Sequence, residues 1–283
     1  MTREFAPYIG IYADFLGMKN RFDEEKNNIS DLNYELNKFI ELIKLNLEIM
    51  KGLPEIMGGI SKIFSDNFLF LSPIKDIVPW RPEISGINEI ITFSQHFSVF
   101  QLAFACEGYY LRGGMDMGWF YHENEDIAIG PLLTSLDSIE KWSHNPIIYT
   151  GDIINKWIDE ITEYLGPDNI TTHHVWFIKD YQQKFFLNYL NAIFLLADFN
   201  MHDSYQPNTL LKKWPVGKEY LEKHKNHIIH HIKNPKIYTK FLWLAQYHNW
   251  FCKKHFYEHP DLVIKCKDLV SIAGKFEQIE RTN

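Results

Sequence analysis

The chain has 283 residues, of which 46% are apolar and 23% charged, and its net charge is −7. These values suit a soluble globular protein with one large core or two modest domains. The acidic balance argues against a general nucleic-acid binder, so we expect no DNA or RNA partner. A single nucleotide is not excluded, because a divalent metal can offset phosphate charge locally.

The cysteines and the N-terminal segment indicate a reducing, cytoplasmic location. Cys106, Cys252 and Cys266 lie far apart and lack the spacing of metal ligands, so we interpret them as free thiols. The N-terminal MTREFAPYIG has no long apolar core of a signal peptide. No run of 18 apolar residues predicts a membrane span.

The first predicted element is a strand that begins the stretch IGIYADFLGMKN, residues 9–20. Alternating apolar residues place Tyr12 and Asp14 on the same face of this strand. A carboxylate that ends an apolar strand is costly to bury unless it is paired or binds a metal. Asp14 is therefore either a turn or N-cap residue or a metal ligand, and only a second carboxylate nearby would favour the latter.

Hydrophobic periodicity predicts a helix, a hairpin and a second helix after this strand. The first helix spans about 29–50 and stops at Gly52 and Pro54. The hairpin covers 60–71 and turns at Ser65-Asp66-Asn67. The second helix, 87–106, is apolar almost all round and should be buried.

The next segments complete a βαββαβ pattern. A strand at 109–118 pairs with 119–129 across a turn, and Pro131 begins a helix that runs to about Ser143. The remaining predicted elements are a strand at 147–150, a helix at 152–165, a hairpin of 173–179 with 185–189, and helices beyond 208. We predict an α+β fold, a ferredoxin-like or palm-type sheet with a mainly helical C-terminal region.

A domain boundary is predicted near residue 170. It divides the chain into a catalytic core of residues 1–170 and an extension of residues 171–283, comprising a hairpin and helices. The extension is rich in aromatic residues and either packs on the sheet or forms its own unit.

In such a sheet the first strand neighbours the following hairpin, which would bring Asp14 close to Asp66. Two nearby carboxylates repel unless a cation lies between them. Hard oxygen ligands are typical of Mg²⁺ or Mn²⁺, and the backbone carbonyl of Phe15 would be an extra ligand. Metal held in this way can activate a hydroxyl and stabilise phosphate charge. The alternative is that Asp66 is simply a turn residue.

Four short motifs follow one another along the chain. They are Tyr12-Ala-Asp-Phe-Leu-Gly17, Lys62-Ile-Phe-Ser-Asp66, Leu111-Arg-Gly-Gly-Met-Asp-Met-Gly118 and Gly130-Pro-Leu-Leu-Thr-Ser-Leu-Asp-Ser-Ile-Glu140. In this order they resemble the motifs of class III nucleotidyl cyclases. The combination is most similar to the bacterial pyrimidine cyclases of Pycsar antiphage defence. The resemblance covers residues 8–150 well and the rest loosely.

The resemblance implies a homodimeric enzyme that converts a nucleoside triphosphate, in the first place UTP, to the 3′,5′-cyclic monophosphate and diphosphate. Asp14 and Asp66 would act through Mn²⁺ or Mg²⁺, and the product would alert a separate effector protein. Tyr12 and Lys62 are candidates for base contacts, although core packing and a solvated strand edge explain them nearly as well. Arg112 either reaches the phosphates or pairs with a carboxylate within the sheet.

Three positions depart from the family pattern. Thr134 and Ser138 stand where relatives usually carry Asn and Arg, and Ile147 stands where they often carry a cation. Losing an arginine that stabilises phosphate charge should be expensive. Another cation could substitute, and the candidates are Lys141, His144 and Arg112. Otherwise the chain is a nucleotide-binding or partner-binding protein without turnover; a palm-type oligonucleotide synthase is the third alternative.

Two histidine patterns are further candidates for metal sites. His255-Phe-Tyr-Glu-His259 matches an inverted zinc-protease motif, but Pro260 should end the helix at once. His227, His230 and His231 lie on a polar helix, where a surface cluster is the simpler interpretation.

Overall fold

The computed structural model describes residues 5–18, 29–57, 59–76, 85–123, 127–165, 176–196, 215–270 and 276–278. Within these residues one mixed sheet contains all nine strands. They are β1 (Ala6–Phe15), β2 (Ile60–Phe64), β3 (Asn67–Pro73), β4 (Leu111–Glu123), β5 (Ile127–Ile129), β6 (Ile148–Thr150), β7 (Phe177–Lys179), β8 (Phe185–Leu187) and β9 (Glu277–Gln278).

Seven α-helices accompany the sheet in the described part of the chain. They are α1 (Ile29–Met57), α2 (Ile87–Cys106), α3 (Pro131–Trp142), α4 (Asp152–Leu165), α5 (Ala192–Leu196), α6 (Pro215–Ile232) and α7 (Tyr238–His255). No described helix has the length and apolar character needed to cross a membrane.

The first four strands have the ferredoxin-like order β2-β3-β1-β4, so the predicted α+β, βαββαβ arrangement is confirmed. Strand β1 lies between β3 and β4 and pairs antiparallel with both. The sheet continues through β6, β8, β7 and β9, while β5 pairs with β4. This order places the end of β1 beside the β2–β3 turn and the start of β4.

Alternation along β1 separates the two faces of the sheet. Ile9, Ile11 and Ala13 are fully buried under α1, α2 and α4, in a cluster rich in phenylalanine. Phe15 is central to that cluster, and its ring centroid lies 4.9 Å from that of Phe39 and 5.0 Å from that of Phe68. Tyr12 and Asp14 point to the opposite face, as the alternation predicts.

Helix α3 covers part of that opposite face. Its buried residues Leu132 and Leu136 pack with Tyr8, Leu69 and Phe120. The last turn of the helix reaches Arg112 through Glu140 at 2.9 Å, and Asp14 at the end of β1 keeps a side-chain exposure of 17%. The functional groups therefore lie beyond the apolar contact of α3 with the sheet.

Two element boundaries differ from the sequence prediction. Helix α1 continues to Met57, past Gly52 and Pro54, because a proline removes one backbone hydrogen bond without forcing the following residues out of the helix. Strand β4 does not stop at Gly118 but continues to Glu123, and only 127–129 return as β5. Pairing with Ala6 and Pro7 of β1 extends β4 beyond the glycine.

The C-terminal region is mainly helical, as predicted, and shares a core with the sheet. Residues of α6 and α7 form one apolar cluster with Leu102 of α2, Tyr149 of β6 and Phe186 of β8. The boundary predicted near residue 170 lies outside the described residues, and the division into 1–170 and 171–283 stays a prediction.

Candidate active site

The polar site is built where β1, β3 and β4 meet. The strand register places Asp14 opposite Asn67 on β3 and opposite Arg112 on β4. Paired residues of antiparallel strands point to the same face, so all three side chains converge on the face that α3 partly covers.

Arg112 is held by two carboxylates. Its Nε and Nη2 atoms donate to the two oxygens of Asp14 at 2.8 and 3.0 Å, and Nη2 also lies 2.9 Å from Glu140 of α3. Nη1 donates to the Ser143 carbonyl at 3.3 Å. The hydrogen bond with Asp14 raises the pKa of Arg112, so the guanidinium remains charged. The structure shows the carboxylate pairing considered for Arg112. Its contact with phosphates stays a prediction.

Asp66 occupies the β2–β3 turn as predicted. Ser65 has a positive φ of 59°, and the Asp66 carbonyl accepts a hydrogen bond from the Phe15 amide at 3.1 Å. Asn67 donates to the Asp66 carboxylate at 3.3 Å and accepts from the Tyr12 hydroxyl at 3.1 Å. The turn is therefore tied to the end of β1 by both backbone and side chains.

Four carboxylates act on Tyr12. Its pKa is raised first by burial, and then by the negative charges of Glu140, Asp137, Asp14 and Asp66. Burial, followed by the charge of Asp14, also raises the pKa of Glu140, which opposes the lowering by Arg112. Such a concentration of negative charge favours binding of a cation.

Lys62 lies two strands away from Tyr12. It pairs with Leu69, and Leu69 pairs with Tyr12, so the three residues share a face and form a row across the sheet. Lys62 is therefore on the side of the sheet that carries the carboxylates.

The donor chemistry of this site fits a hard divalent cation. Asp14 and Asp66 would supply carboxylate oxygens, and the Phe15 carbonyl is the extra oxygen ligand predicted from the sequence. No group of three or more His, Cys, Asp or Glu residues with metal-binding geometry occurs in the described ranges. A site of two carboxylates suits Mg²⁺ or Mn²⁺, which takes further ligands from water and substrate phosphates. A bound ion would compete with Arg112 for Asp14.

The three departures from the family pattern lie in different surroundings. Thr134 and Ser138 face a cavity of about 850 Å³ beside α3, whereas Ile147 is fully buried. Among the substitutes considered for the lost cations, Lys141 pairs with Asp137 at 2.6 Å on the surface. His144 lines a separate cavity near α7.

Lys184 is a cation that the sequence reasoning missed. It lines the cavity beside Thr134 and Ser138, and its ammonium lies 3.9 Å from the ring centroid of Trp142. The lysine precedes β8, so only the tertiary pairing of β8 with β6 brings it to this cavity.

A buried carboxylate fixes the wall of the same cavity. Asp116 of β4 is 1% exposed, accepts from Ser135 of α3 at 2.5 Å, and accepts from the Ile154 amide at the start of α4 at 3.1 Å. Burial raises its pKa, while these hydrogen bonds lower it. Asp116 therefore connects β4 with α3 and α4.

The two histidine patterns lack the geometry of a metal centre in the described part of the chain. His255 is the last residue of α7, and Glu258 and His259 follow beyond the helix, which removes the helical spacing that a zinc motif needs. The predicted surface cluster on α6 needs correction, since only His230 is exposed. His227 and His231 line a cavity of about 420 Å³, and the His231 ring stacks on Phe241 at 4.4 Å.

No protein-family model matches the chain, and no curated protein matches it. Solved cyclase structures share a distant likeness. The adenylyl cyclase CyaB of P. aeruginosa is 14% identical, with 58% of this chain and 84% of that one covered and a TM-score of 0.37. The guanylyl cyclase domain of the Blastocladiella emersonii RhoGC fusion protein is 13% identical, with 66% and 98% covered and a TM-score of 0.39.

A bacterial light-regulated adenylyl cyclase is 11% identical, with 69% of this chain and 98% of that one covered and a TM-score of 0.34. Because these identities and TM-scores are low, the topology of this chain is judged from its own strand order.

Proposed function

We propose that the chain is a metal-dependent nucleotide cyclase of the class III type. The observation that supports this most strongly is the register of β1 with β3 and β4, which brings Asp14 next to the Asp66 turn. The amide of Phe15 bonds to the Asp66 carbonyl, so the two acidic residues stay together. The motif resemblance assigns metal binding to the same two positions.

In the proposed reaction the ribose 3′-oxygen bonds to the α-phosphorus and the bond from phosphorus to the diphosphate oxygen breaks. Asp14, Asp66 and the Phe15 carbonyl would hold Mn²⁺ or Mg²⁺, which when bound supplies Lewis-acid activation and charge neutralisation. The hydroxyl proton leaves to water. Tyr12 and Lys62 lie on the face where a nucleotide would rest. Arg112, once displaced from Asp14, keeps Glu140 as its partner.

The substrate that we propose is a pyrimidine nucleoside triphosphate, in the first place UTP. The cyclic product would act as a second messenger for a separate effector protein in antiphage defence.

We further propose a homodimer. Large apolar side chains are exposed near the cavity beside α3, with Phe5 49% and Ile129 56% exposed, and a second copy could cover them.

A second candidate is a nucleotide-binding protein without turnover. Arg112 already neutralises Asp14, and Thr134 and Ser138 offer no charge to a triphosphate. Both features would weaken catalysis more than binding, because they concern charge that develops in the transition state.

The products of the reaction would separate these functions. Purified protein is incubated with each of the four NTPs and Mn²⁺, and the products are resolved by chromatography. A cyclic mononucleotide, formed fastest from UTP, supports the proposal. Linear or cyclic oligonucleotides indicate a palm-type synthase instead. Nucleotide that is bound but unchanged indicates the second candidate.

A further inference from the structure

The first turn of α7, in the C-terminal region, lies against the segment that follows Asp14. Phe241 in this turn is buried and lines the cavity of about 420 Å³ together with Phe15 and Leu16. Its ring centroid lies 4.9 Å from that of Tyr110, whose carbonyl accepts a hydrogen bond from the Leu16 amide at 2.7 Å. These contacts fix the start of α7 beside the end of β1.

The same turn also lies against the loop that holds Arg112. Lys240 lines a cavity of about 370 Å³ together with His144, in the loop between α3 and β6. The residue before it in this loop, Ser143, accepts a hydrogen bond from Arg112 Nη1 through its carbonyl at 3.3 Å. Helix α7 is therefore adjacent to both partners of the Asp14–Arg112 ion pair.

Lys240 brings a positive charge close to this ion pair. It is partly buried, and burial together with the charge of Arg112 lowers its pKa, whereas the charge of Asp14 raises it. Within the described ranges no carboxylate forms a direct ion pair with Lys240. Lys141, by contrast, is paired with Asp137 at 2.6 Å. Lys240 is thus a cation near the candidate site that is not already bound to a carboxylate.

The charges around Lys240 no longer balance once Asp14 holds a divalent cation. Asp14 and Asp66 together offset the two charges of the ion, and Glu140 offsets Arg112 at 2.9 Å. The charge of Lys240 is then left without an opposite charge in this group. A Mg²⁺ or Mn²⁺ ion held by two carboxylates takes further ligands from water and substrate phosphates. The anion expected next to Lys240 is therefore a phosphate group of the substrate.

We propose that Lys240 binds the triphosphate of the nucleotide and supplies positive charge that Thr134 and Ser138 lack. This inference rests on the proposed cyclase function and adds a residue of the C-terminal region to its site. The ammonium stays protonated and donates hydrogen bonds to nonbridging oxygens, so no covalent bond to Lys240 forms or breaks. Because negative charge grows on the departing diphosphate, a cation here stabilises the transition state as well as the bound substrate.

Equilibrium binding of 3′-deoxynucleoside triphosphates tests this proposal without turnover, because these analogues lack the attacking hydroxyl. The full chain is titrated calorimetrically with the analogue of each of the four bases in the presence of Mn²⁺. We expect Lys240→Gln to weaken the tightest of these complexes about tenfold or more, and Lys240→Arg to retain most of the affinity. Lys253→Gln, which removes an exposed lysine in the last turn of α7, should bind as the wild type does.

Two controls separate a phosphate contact from other effects of this charge. Lys240→Gln removes a positive charge near Asp14, so its affinity for Mn²⁺ alone should be unchanged or higher. Burial and Arg112 disfavour the Lys240 charge in the folded chain, so the thermal stability of the variant should not fall below that of the wild type. A loss of Mn²⁺ affinity that matches the loss of nucleotide affinity would overturn the phosphate contact.

The outcomes distinguish this proposal from the proposed function. If the wild type binds an analogue and Lys240→Gln binds it equally tightly, Lys240 does not contact the triphosphate, and the cyclase function is unaffected. If the wild type binds none of the four analogues, the proposed function fails and the role of Lys240 fails with it.

Discussion

At the scale of single residues, Arg112 sets the state of the candidate metal site. It bridges Asp14 and Glu140 with short, charge-assisted contacts, and its side chain is 25% exposed. Metal and guanidinium therefore compete for the same Asp14 carboxylate. The sequence shows an arginine on the strand with the glycine-rich motif, but it does not decide between phosphate and carboxylate as its partner.

Replacing Arg112 with Gln should strengthen Mn²⁺ binding. The substitution frees Asp14 and leaves the carboxylates around Tyr12 uncompensated, so we expect affinity to rise about tenfold, equivalent to about 1.4 kcal/mol. Titration calorimetry with Mn²⁺ measures the change. Lys141→Gln is the matched control, because it removes an exposed pair with Asp137 and should have little effect. Unchanged or weaker binding in Arg112→Gln would show that the arginine does not compete with metal.

The Tyr12 hydroxyl links β1 to the β2–β3 turn. It already donates to Asn67, which donates to Asp66. We therefore expect Tyr12→Phe to lower kcat by loosening Asp66, with the KM ratios among the four NTPs unchanged, and to lower the free energy of unfolding by about 1 kcal/mol. Steady-state kinetics with each NTP provides the comparison. A changed order of KM values would instead make the hydroxyl a direct base contact.

At the scale of elements, the sequence predicted what depends on local pattern. Helix α2 begins and ends where the apolar periodicity does, at Ile87 and Cys106. The predicted end of α1 was wrong because Pro54 alone does not stop a helix that continues beyond it. Neither the Arg112 bridge nor the Lys184 position could be predicted, since each depends on which strands become neighbours.

The glycine motif of β4 has a packing reason that can be tested. A Cβ atom at Gly113 would overlap the Tyr12 carbonyl, whereas one at Gly118 would meet Leu132 atoms at 3.3–3.4 Å. Gly113→Ala should lower the free energy of unfolding by about 1–3 kcal/mol, as overpacked cores do, and Gly118→Ala should cost less. Urea unfolding of both variants measures the difference. Equal losses of unfolding free energy in the two variants would mean that the close approach of Gly113 to the Tyr12 carbonyl relaxes without cost.

The C-terminal helices should make the protein sensitive to acid. Burial lowers the pKa of His248 to about 4 and of His255 to about 3. Below about pH 6.5 the unfolded chain therefore binds more protons than the folded chain. The stabilisation that the neutral histidines provide is fully present above that pH, and it is lost as the pH falls toward 4 for His248 and toward 3 for His255. Each group contributes a loss of about 1.4 kcal/mol per pH unit within its window.

Urea unfolding between pH 7 and pH 5 measures this loss. His255→Phe keeps an aromatic ring beside Phe194 and Phe251 but cannot titrate, so stability should fall less steeply with acid. His230→Gln, an exposed neighbour on α6, is the control and should follow the wild type. A wild-type stability that does not change across this range would contradict the neutral, buried state of both histidines.

At the scale of the whole molecule, one sheet connects the candidate site to the C-terminal helices. The ferredoxin-like strands place Asp14 and Asp66 together, and β6 and β8 bring Lys184 to the cavity beside α3. The pattern of elements predicted the first of these arrangements. The second depends on long-range pairing, as does the contact of α7 with the loop after α3. Regular local patterns therefore predict the topology, whereas the polar groups that surround the site come from distant parts of the chain.

The proposed cyclase function depends above all on Asp66, acting through a divalent cation. The most direct test is the rate of cyclic mononucleotide formation with Mn²⁺ for the wild type, Asp66→Asn and Asp159→Asn, an exposed carboxylate on α4. We predict a loss of at least about a hundredfold in Asp66→Asn, equivalent to about 2.7 kcal/mol, and an unchanged rate in Asp159→Asn. A rate in Asp66→Asn equal to that of the wild type, or no cyclic product from any of the three proteins, would contradict the proposed function.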